Sequence, residues 1–236
     1  MDQPAHPIKA GFEQPRATRE LVGVQFVLGL FMQLFLALPF LRRTHGRERL
    51  RRGQCHLFVI NHISLLDTLL LATICWRLRC YPILVLGDKH VWHASWLRKF
   101  LSRRTAFLLE RGKLHSNRIQ ELEAFGRAGR EFQLIVFPEG TRGDGVNVAP
   151  CQPGIYFIAQ AARLPLVPVF IENMQLVSTK KGGFHPVRGW RKVEVHIGEP
   201  ISPEKYLPMP REAFLEFVRQ SILAARTNNS GGRKSN

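Results

Sequence analysis

Carboxylates are scarce in this chain. Its 236 residues hold 18 Asp and Glu against 34 Lys and Arg, a formal net charge of +16. An excess of that size points to an anionic partner: nucleic acid, an anionic membrane surface or a phosphorylated substrate. Cysteine is sparse too. Cys55, Cys75, Cys80 and Cys151 have no metal-ligand spacing, so no zinc module is indicated and reduced thiols are expected. Cys151 is the thiol to weigh as a nucleophile. His90, His93, His115, His185 and His196 share no ligand spacing either and read as ordinary histidines. Glycine-rich nucleotide loops are missing, since Gly143-Asp144-Gly145 lacks the strand–turn–helix context such a loop needs. Helix-turn-helix, zinc-finger and RNP patterns are missing as well, which argues against nucleic acid as the anionic partner. No internal repeat is present.

Apolar residues are not in short supply. They make up 45% of the chain, enough to bury a core. One long run free of charge extends from Leu21 to Leu41 (LVGVQFVLGLFMQLFLALPFL). As a helix it would reach about 32 Å, close to the thickness of a hydrocarbon core. Gln25, Gln33 and Pro39 make it less apolar than the best spans. Its length, its late start and the lack of a small-residue cleavage site argue against a signal peptide. Arg42, Arg43, Arg47, Arg49, Arg51 and Arg52 follow at once, opposed only by Glu48. That flank belongs on the cytoplasmic side and suits anionic headgroups. The expectation is a membrane-anchoring helix over residues 21–41 that either spans once or lies within one leaflet, with a buried core helix as the bland alternative. Membrane apposition explains the charge and the apolar run together.

Beyond the flank, short apolar runs alternate with amphipathic stretches. Strands are expected at His56–Ile60, Tyr81–Leu86, Ala106–Leu109, Leu134–Phe137, Leu166–Ile171 (despite Pro168) and Val193–Ile197, the last alternating and so half-buried. Helices are expected at Ser64–Leu78, Val91–Leu101, Ser116–Gly129, Ile155–Ala162 and Arg211–Ala225. The last carries Phe214, Phe217, Val218, Ser221 and Ile222 on one face. Such alternation is the pattern of an α/β fold: a mixed, mostly parallel sheet flanked by helices on both faces. Trp92, Trp96, Phe100 and Leu101 form either a core stripe or a membrane-facing patch beside Arg98, Lys99, Arg103 and Arg104.

Two motifs carry chemistry. Asn61-His62-Ile63-Ser64-Leu65-Leu66-Asp67 follows a strand, at the carboxyl end where α/β proteins place their sites. Ser64 and Asp67 fit the Ser-x-x-acid capping box, with Ser64 as N-cap and Asp67 as third helical residue. A capping Asp67 turns back toward the helix entrance, where it can meet His62, fix its tautomer and stabilise the imidazolium as His62 takes a proton from a hydroxyl. The alternative is a plain cap and a plain turn histidine. The second motif is Phe137-Pro138-Glu139-Gly140-Thr141-Arg142. Pro138 stops a strand, Gly140 permits a tight turn, and the turn's N–H groups with the Arg142 fork can hold an anion. Glu139 either meets a substrate hydroxyl or serves structure alone, and Arg142 either grips phosphate or is a surface charge. Arg111 is a further strand-end cation with the same two readings.

Taken together, these blocks resemble the glycerolipid acyltransferase family that includes the 1-acyl-sn-glycerol-3-phosphate acyltransferases. Asn61-His62-x-Ser64-x-x-Asp67 is similar to the family's catalytic block, Phe107–Arg111 to its second, Phe137–Arg142 to its third and Leu166–Val169 to its fourth. Gly154 and the Val193–Ile201 stretch also fit, so the likeness covers residues 53–202. It implies a glycerol-3-phosphate acyltransferase-like fold, assigned to residues 53–226; the apolar run and its flank set off an anchoring segment at 1–52, and the polar tail at 227–236 is expected to be disordered. It implies His62 as general base and Asp67 as its orienter. Arg111, Glu139, Gly140, Thr141 and Arg142 would bind the acceptor, with Pro168 on the acyl side. The donor would be acyl-CoA or acyl carrier protein, with no metal, no cofactor and no covalent acyl-enzyme. The acceptor would be a lysophospholipid, foremost 1-acylglycerol-3-phosphate, yielding phosphatidic acid at the inner, cytoplasmic face of a membrane.

One departure stands out. Where the family often has Phe-Lys-x-Gly, this chain has Cys151-Gln152-Pro153-Gly154, without the phosphate-binding Lys. Lys180, Lys181 or Arg188 are candidates to replace it. Failing that, the acceptor is another lysolipid, such as a lyso-ornithine lipid. A non-catalytic membrane- or lipid-binding protein is the alternative outside enzymes.

Overall fold

Leu57–Ile60 reads LFVI, apolar at every position, as a strand buried on both faces of a parallel sheet should. The computed structural model of the chain places it there. It describes residues 19–78, 83–88, 106–109, 119–120, 122–124, 132–179 and 183–230. The strands are β1 Leu41–His45, β2 Leu57–Ile60, β3 Ile83–Asp88, β4 Ala106–Leu109, β5 Gln133–Val136, β6 Leu166–Glu172 and β7 Val193–Ile197. They form one sheet in the order β1-β7-β6-β2-β5-β3-β4. Every pairing is parallel except β6 with β7. The mixed, mostly parallel α/β sheet expected from the alternation is the one observed. The helix expected over 91–101 and much of that over 116–129 lie outside the described residues.

Helices cover both faces. On one side pack the end of α1 (Arg19–Met32 and its continuation) and α2 (Leu65–Leu78), whose Leu70, Leu71, Ile74 and Cys75 are buried against Phe58, Ile60 and Ile135. On the other pack α3 (Gly154–Ala162) and α4 (Arg211–Ser230), which bury Ile155, Ile158, Phe214, Val218 and Ile222 against Leu57, Val59, Leu134 and Phe170. Each such side chain contributes about 2 kcal/mol by leaving water. Helix α4 continues to Ser230, past the Ala225 expected from the apolar pattern. Its buried face ends at Ala225, but no Gly or Pro follows before Gly231 to stop the backbone.

Pro168 sits in an inner strand, where a missing N–H normally costs a ladder bond. Here its backbone faces β7 just where that strand ends at Ile197, and only its carbonyl is needed, accepting from Gly198 N–H at 2.8 Å.

The apolar run at residues 21–41 is not one regular helix. After α1 comes a π-helical turn at Gln33–Ala37 and a last helical turn at Leu38–Phe40. No described helix is long and apolar enough to cross a membrane. Leu36, Ala37 and Phe40 are buried in the body of the protein. Gly29 packs on Trp76 of α2 so closely that a Cβ would lie 2.5 Å from the indole. Leu41 leaves the helix and opens β1, so the first part of the Arg-rich flank is an edge strand.

Two sequence expectations fail nearby. Strand β7 is buried throughout, not alternately. Its Glu194 is paired by Arg42 at 3.4 Å and by His45 at 3.0 Å, and His196 by Glu172 at 3.2 Å. Cross-strand partners from β1 and β6 make these polar positions tolerable under α4. Cys55 is disulfide-bonded, against the expectation of four reduced thiols. Nothing in the cysteine spacing points to that bond.

Candidate active site

Strands β2 and β5 lie side by side and parallel, yet their outgoing connections part. From β2 the chain turns into α2 on one face of the sheet, and from β5 it crosses to α3 on the other. Adjacent strands whose connections diverge in this way leave a crevice at their carboxyl ends, the usual ligand position in open α/β sheets. The His62 loop leaves β2 there, and the Pro138–Arg142 turn leaves β5 beside it.

The expected cap forms. Ser64 Oγ accepts from Leu66 N–H at 2.9 Å, and Asp67 reaches back so that its Oδ2 accepts from Ser64 N–H at 2.7 Å and Ile63 N–H at 2.5 Å. The same oxygen lies 3.0 Å from His62 Nδ1. Asp67 is fully buried, and its Oδ1 has no hydrogen-bond partner. An acceptor-only carboxylate at Nδ1 requires that nitrogen to carry the proton, which leaves the Nε2 lone pair free to take another. The imidazole lies along the Phe137 ring, with centroids 4.1 Å apart. His62 is 16% exposed, enough for a substrate to reach it.

Glu139 turns inward from the neighbouring loop. It is 2% exposed. One of its oxygens accepts from His62 N–H and the other from Ala149 N–H, each at 2.9 Å. The His62 carbonyl in turn accepts from Gly143 N–H at 2.6 Å. Two loops, far apart in sequence, are thereby clamped on both sides of the His62 peptide. Burial raises the Glu139 carboxyl above its ordinary pKa, while the two N–H groups and nearby His62 oppose the rise. Gly140 adopts φ +65°, a left-handed conformation that glycine takes without strain, and a Cβ there would lie 2.9 Å from Gln152 Cγ. Thr141 is exposed and Arg142 half-buried, and Arg142 forms no hydrogen bond or ion pair among the described residues.

His62, Asp67, Glu139, Gly140, Thr141 and Arg142 are therefore brought to one crevice. Pro168 is not among them: it pairs with Val59 within the sheet and packs on Gly198 below α4. Arg111, Lys180 and Lys181 lie outside the described residues. Arg188 is exposed on a single turn, Pro186–Gly189. Cys151 is buried, with its thiol pushed up to about 12 by burial and then by the Glu139 charge, which does not suit a nucleophile.

The sequence places Asn61 in the first motif but assigns it no role. Its side chain donates to Ile171 C=O at 2.9 Å and accepts from Ile171 N–H at 2.7 Å, tying the loop before His62 to the end of β6. Asn beside a histidine at a strand end was the available signal. Among the described residues, His45, Glu194 and His196 have possible metal-ligand atoms within 4.8 Å of one another. Their geometry does not fit an ion. The two imidazoles stack with 8° between their planes, so their in-plane lone pairs do not converge, and the Glu194 carboxylate is held by Arg42 and His45.

The Acyltransferase family profile matches residues 42–172. The 1-acyl-sn-glycerol-3-phosphate acyltransferase of Saccharomyces cerevisiae is 29% identical over 202 residues, covering 81% of this chain and 61% of the yeast protein. The mouse 1-acyl-sn-glycerol-3-phosphate acyltransferase alpha is 29% identical over 94 residues, covering 40% of this chain and 32% of the mouse protein. This chain thus spans less than two thirds of either relative. A crystal structure of the 1-acyl-sn-glycerophosphate (LPA) acyltransferase PlsC from Thermotoga maritima shares the fold, with a TM-score of 0.66 at 20% identity over 93% of this chain and 86% of that one. The chain belongs to the Acyltransferase family.

Proposed function

We propose that the chain transfers a fatty acyl group from a thioester, acyl-CoA or acyl carrier protein, to the free hydroxyl of a lysophospholipid, foremost 1-acylglycerol-3-phosphate. The observation that carries this reading is the His62–Asp67 pair, with Nδ1 engaged at 3.0 Å and the imidazole side chain 16% exposed. The acceptor hydroxyl would be held against Nε2. As its oxygen attacks the thioester carbonyl, its proton passes to His62, and buried Asp67 stabilises the imidazolium. The C–S bond then breaks, and the imidazolium returns the proton to the departing thiolate. Glu139 acts as a positioning residue that fixes the His62 backbone. Arg142, on the facing turn and without a hydrogen bond or ion pair among the described residues, would take the acceptor phosphate.

The enzyme would act at the cytoplasmic face of a membrane, attached through residues 21–41. Support comes from the apolar side chains exposed there, Phe26, Val27, Leu30, Phe31, Leu34, Phe35 and Leu38, and from exposed Arg42 and Arg43 directly after them.

Gln152 favours a second reading, an acyltransferase for another lysolipid. It lies against the Gly140 turn, where the family's frequent Lys would add a cation. The test is acyl transfer from labelled acyl-CoA and acyl carrier protein to a panel containing lysophosphatidic acid, lyso-ornithine lipid and lysophosphatidylcholine. Product from lysophosphatidic acid, with a raised KM in Arg142→Ala, is expected. Product only from an acceptor without a phosphomonoester would establish the second reading, and no product from any acceptor with either donor would overturn both.

A further inference from the structure

Three of the most exposed large apolar side chains in the described residues lie far in sequence from α1. Phe184 is 57% exposed, Val187 89% and Trp190 59%. They sit on or beside the single turn Pro186–Gly189. We propose that residues 184–190 form a second membrane-inserting element, which enters the interface of an anionic bilayer alongside the apolar run at 21–41. The proposal rests on the reading of the chain as a membrane-surface enzyme and adds a second point of attachment to it.

The segment is built to hold its apolar side chains outward. Ser178 and Phe184 form a β-bridge, Thr179 N–H donates to Gly183 C=O at 3.0 Å, and His185 N–H donates to Val177 C=O at 2.7 Å. Gly189 lies so close to Val177 that a Cβ would meet Val177 Cγ2 at 2.4 Å. A turn fastened in this way cannot fold its Trp and Val back into the core. Large apolar groups presented so firmly to water mark an interaction surface.

The segment is also fastened to the end of the apolar helical run. The Phe40 and Phe184 rings meet edge to face at 5.8 Å. Arg191, at φ 51°, donates its N–H to Pro39 C=O at 2.9 Å. The exposed apolar residues of the helical run and those of the turn therefore belong to one continuous region.

The surrounding charge selects the occupant. Arg188, Arg191 and Lys192 are exposed around the turn, Arg42 and Arg43 project from β1, and the sequence has no carboxylate from residue 173 to 193. Cations ringing an apolar patch with an exposed Trp match an anionic lipid interface, where Trp settles at headgroup level. A second copy of this chain is disfavoured, because a two-fold contact would bring the same cations together.

The test compares the wild-type chain with Phe184→Ser/Val187→Ser/Trp190→Ser for partition onto vesicles of phosphatidylcholine and phosphatidylglycerol. Quenching of tryptophan fluorescence by brominated acyl chains is measured in the wild type and in Trp190→Phe. Acyl transfer in detergent micelles and the thermal transition check that the variants are folded, and both should be unchanged. The expected result is vesicle partition weakened about tenfold or more in the triple variant, with part of the bromolipid quenching lost in Trp190→Phe. If the wild type binds vesicles and the triple variant binds equally well, with no quenching traceable to Trp190, this inference fails while the membrane reading stands. If the wild type binds no vesicles, the membrane reading fails and this inference with it. A concentration-dependent dimer abolished in the triple variant, with vesicle binding unchanged, would assign the patch to a second copy instead.

Discussion

Replacing Glu139 separates a structural clamp from a substrate ligand. In Glu139→Ala, the His62 and Ala149 N–H groups both lose their acceptor. Each is a hydrogen bond to a buried carboxyl group, and the vacated site leaves two buried donors without a partner. At about 1.5–3 kcal/mol per bond, the loss is about 3–6 kcal/mol, a large fraction of the ~5–15 kcal/mol that holds a domain together. The melting temperature should fall by roughly 10 °C. Glu139→Gln keeps one acceptor oxygen and turns an NH₂ group toward the other N–H, so about half the loss is expected. Both variants loosen the His62 backbone, so kcat should fall more than KM rises. The assay is thermal and denaturant unfolding in detergent, paired with steady-state acyl transfer. An Ala variant within about 1 kcal/mol of wild type would refute the clamp. A rise confined to KM would return Glu139 to the acceptor-binding role.

Further outcomes follow from the same geometry. Asp67→Asn preserves an acceptor for the Ile63 and Ser64 N–H groups but removes the charge beside the imidazole, so kcat should drop about 10²–10⁴-fold with little change in melting temperature; an activity near wild type would remove Asp67 from the chemistry. Gln152→Lys places a cation beside the Gly140 turn and should lower KM for a phosphomonoester acceptor by roughly tenfold, whereas an unchanged KM would place the phosphate elsewhere. Burial lowers His56 from 6.5 to about 4. Its folded pKa lies below its unfolded one, so this contribution is complete above about pH 6.5 and is lost as pH falls toward 4, on the order of 3 kcal/mol. His56→Phe should flatten that part of the stability–pH curve measured by denaturant unfolding; an equally steep acid loss in the variant would show that other groups cause it.

The sheet was readable where the sequence speaks in one period. Strands β2, β5 and β6 are apolar runs because both their faces are covered, and the Ser-x-x-Asp spacing forecasts the turn that joins Asp67 to His62. Other features depend on partners far along the chain. β1 reads LRRTH, and nothing in that charged stretch shows that it pairs with β7 as an edge strand. Glu194 and His196 look solvent-facing until His45, Arg42 and Glu172 arrive from other strands. Whether Glu139 faces a ligand or the protein depends on two N–H groups, one of them on a different loop, and spacing carries no record of that. The break of the apolar run into α-, π- and α-helical turns reflects packing against α2 and the body, which hydropathy does not see.

The central claim is that His62 is the base of an acyl transfer. The most direct measurement is single-turnover transfer from labelled acyl-CoA to lysophosphatidic acid by the wild type and by His62→Ala, with folding checked by the thermal transition. The account predicts a loss of at least about 10³-fold in the variant at an unchanged melting temperature. Transfer by His62→Ala at the wild-type rate would contradict it.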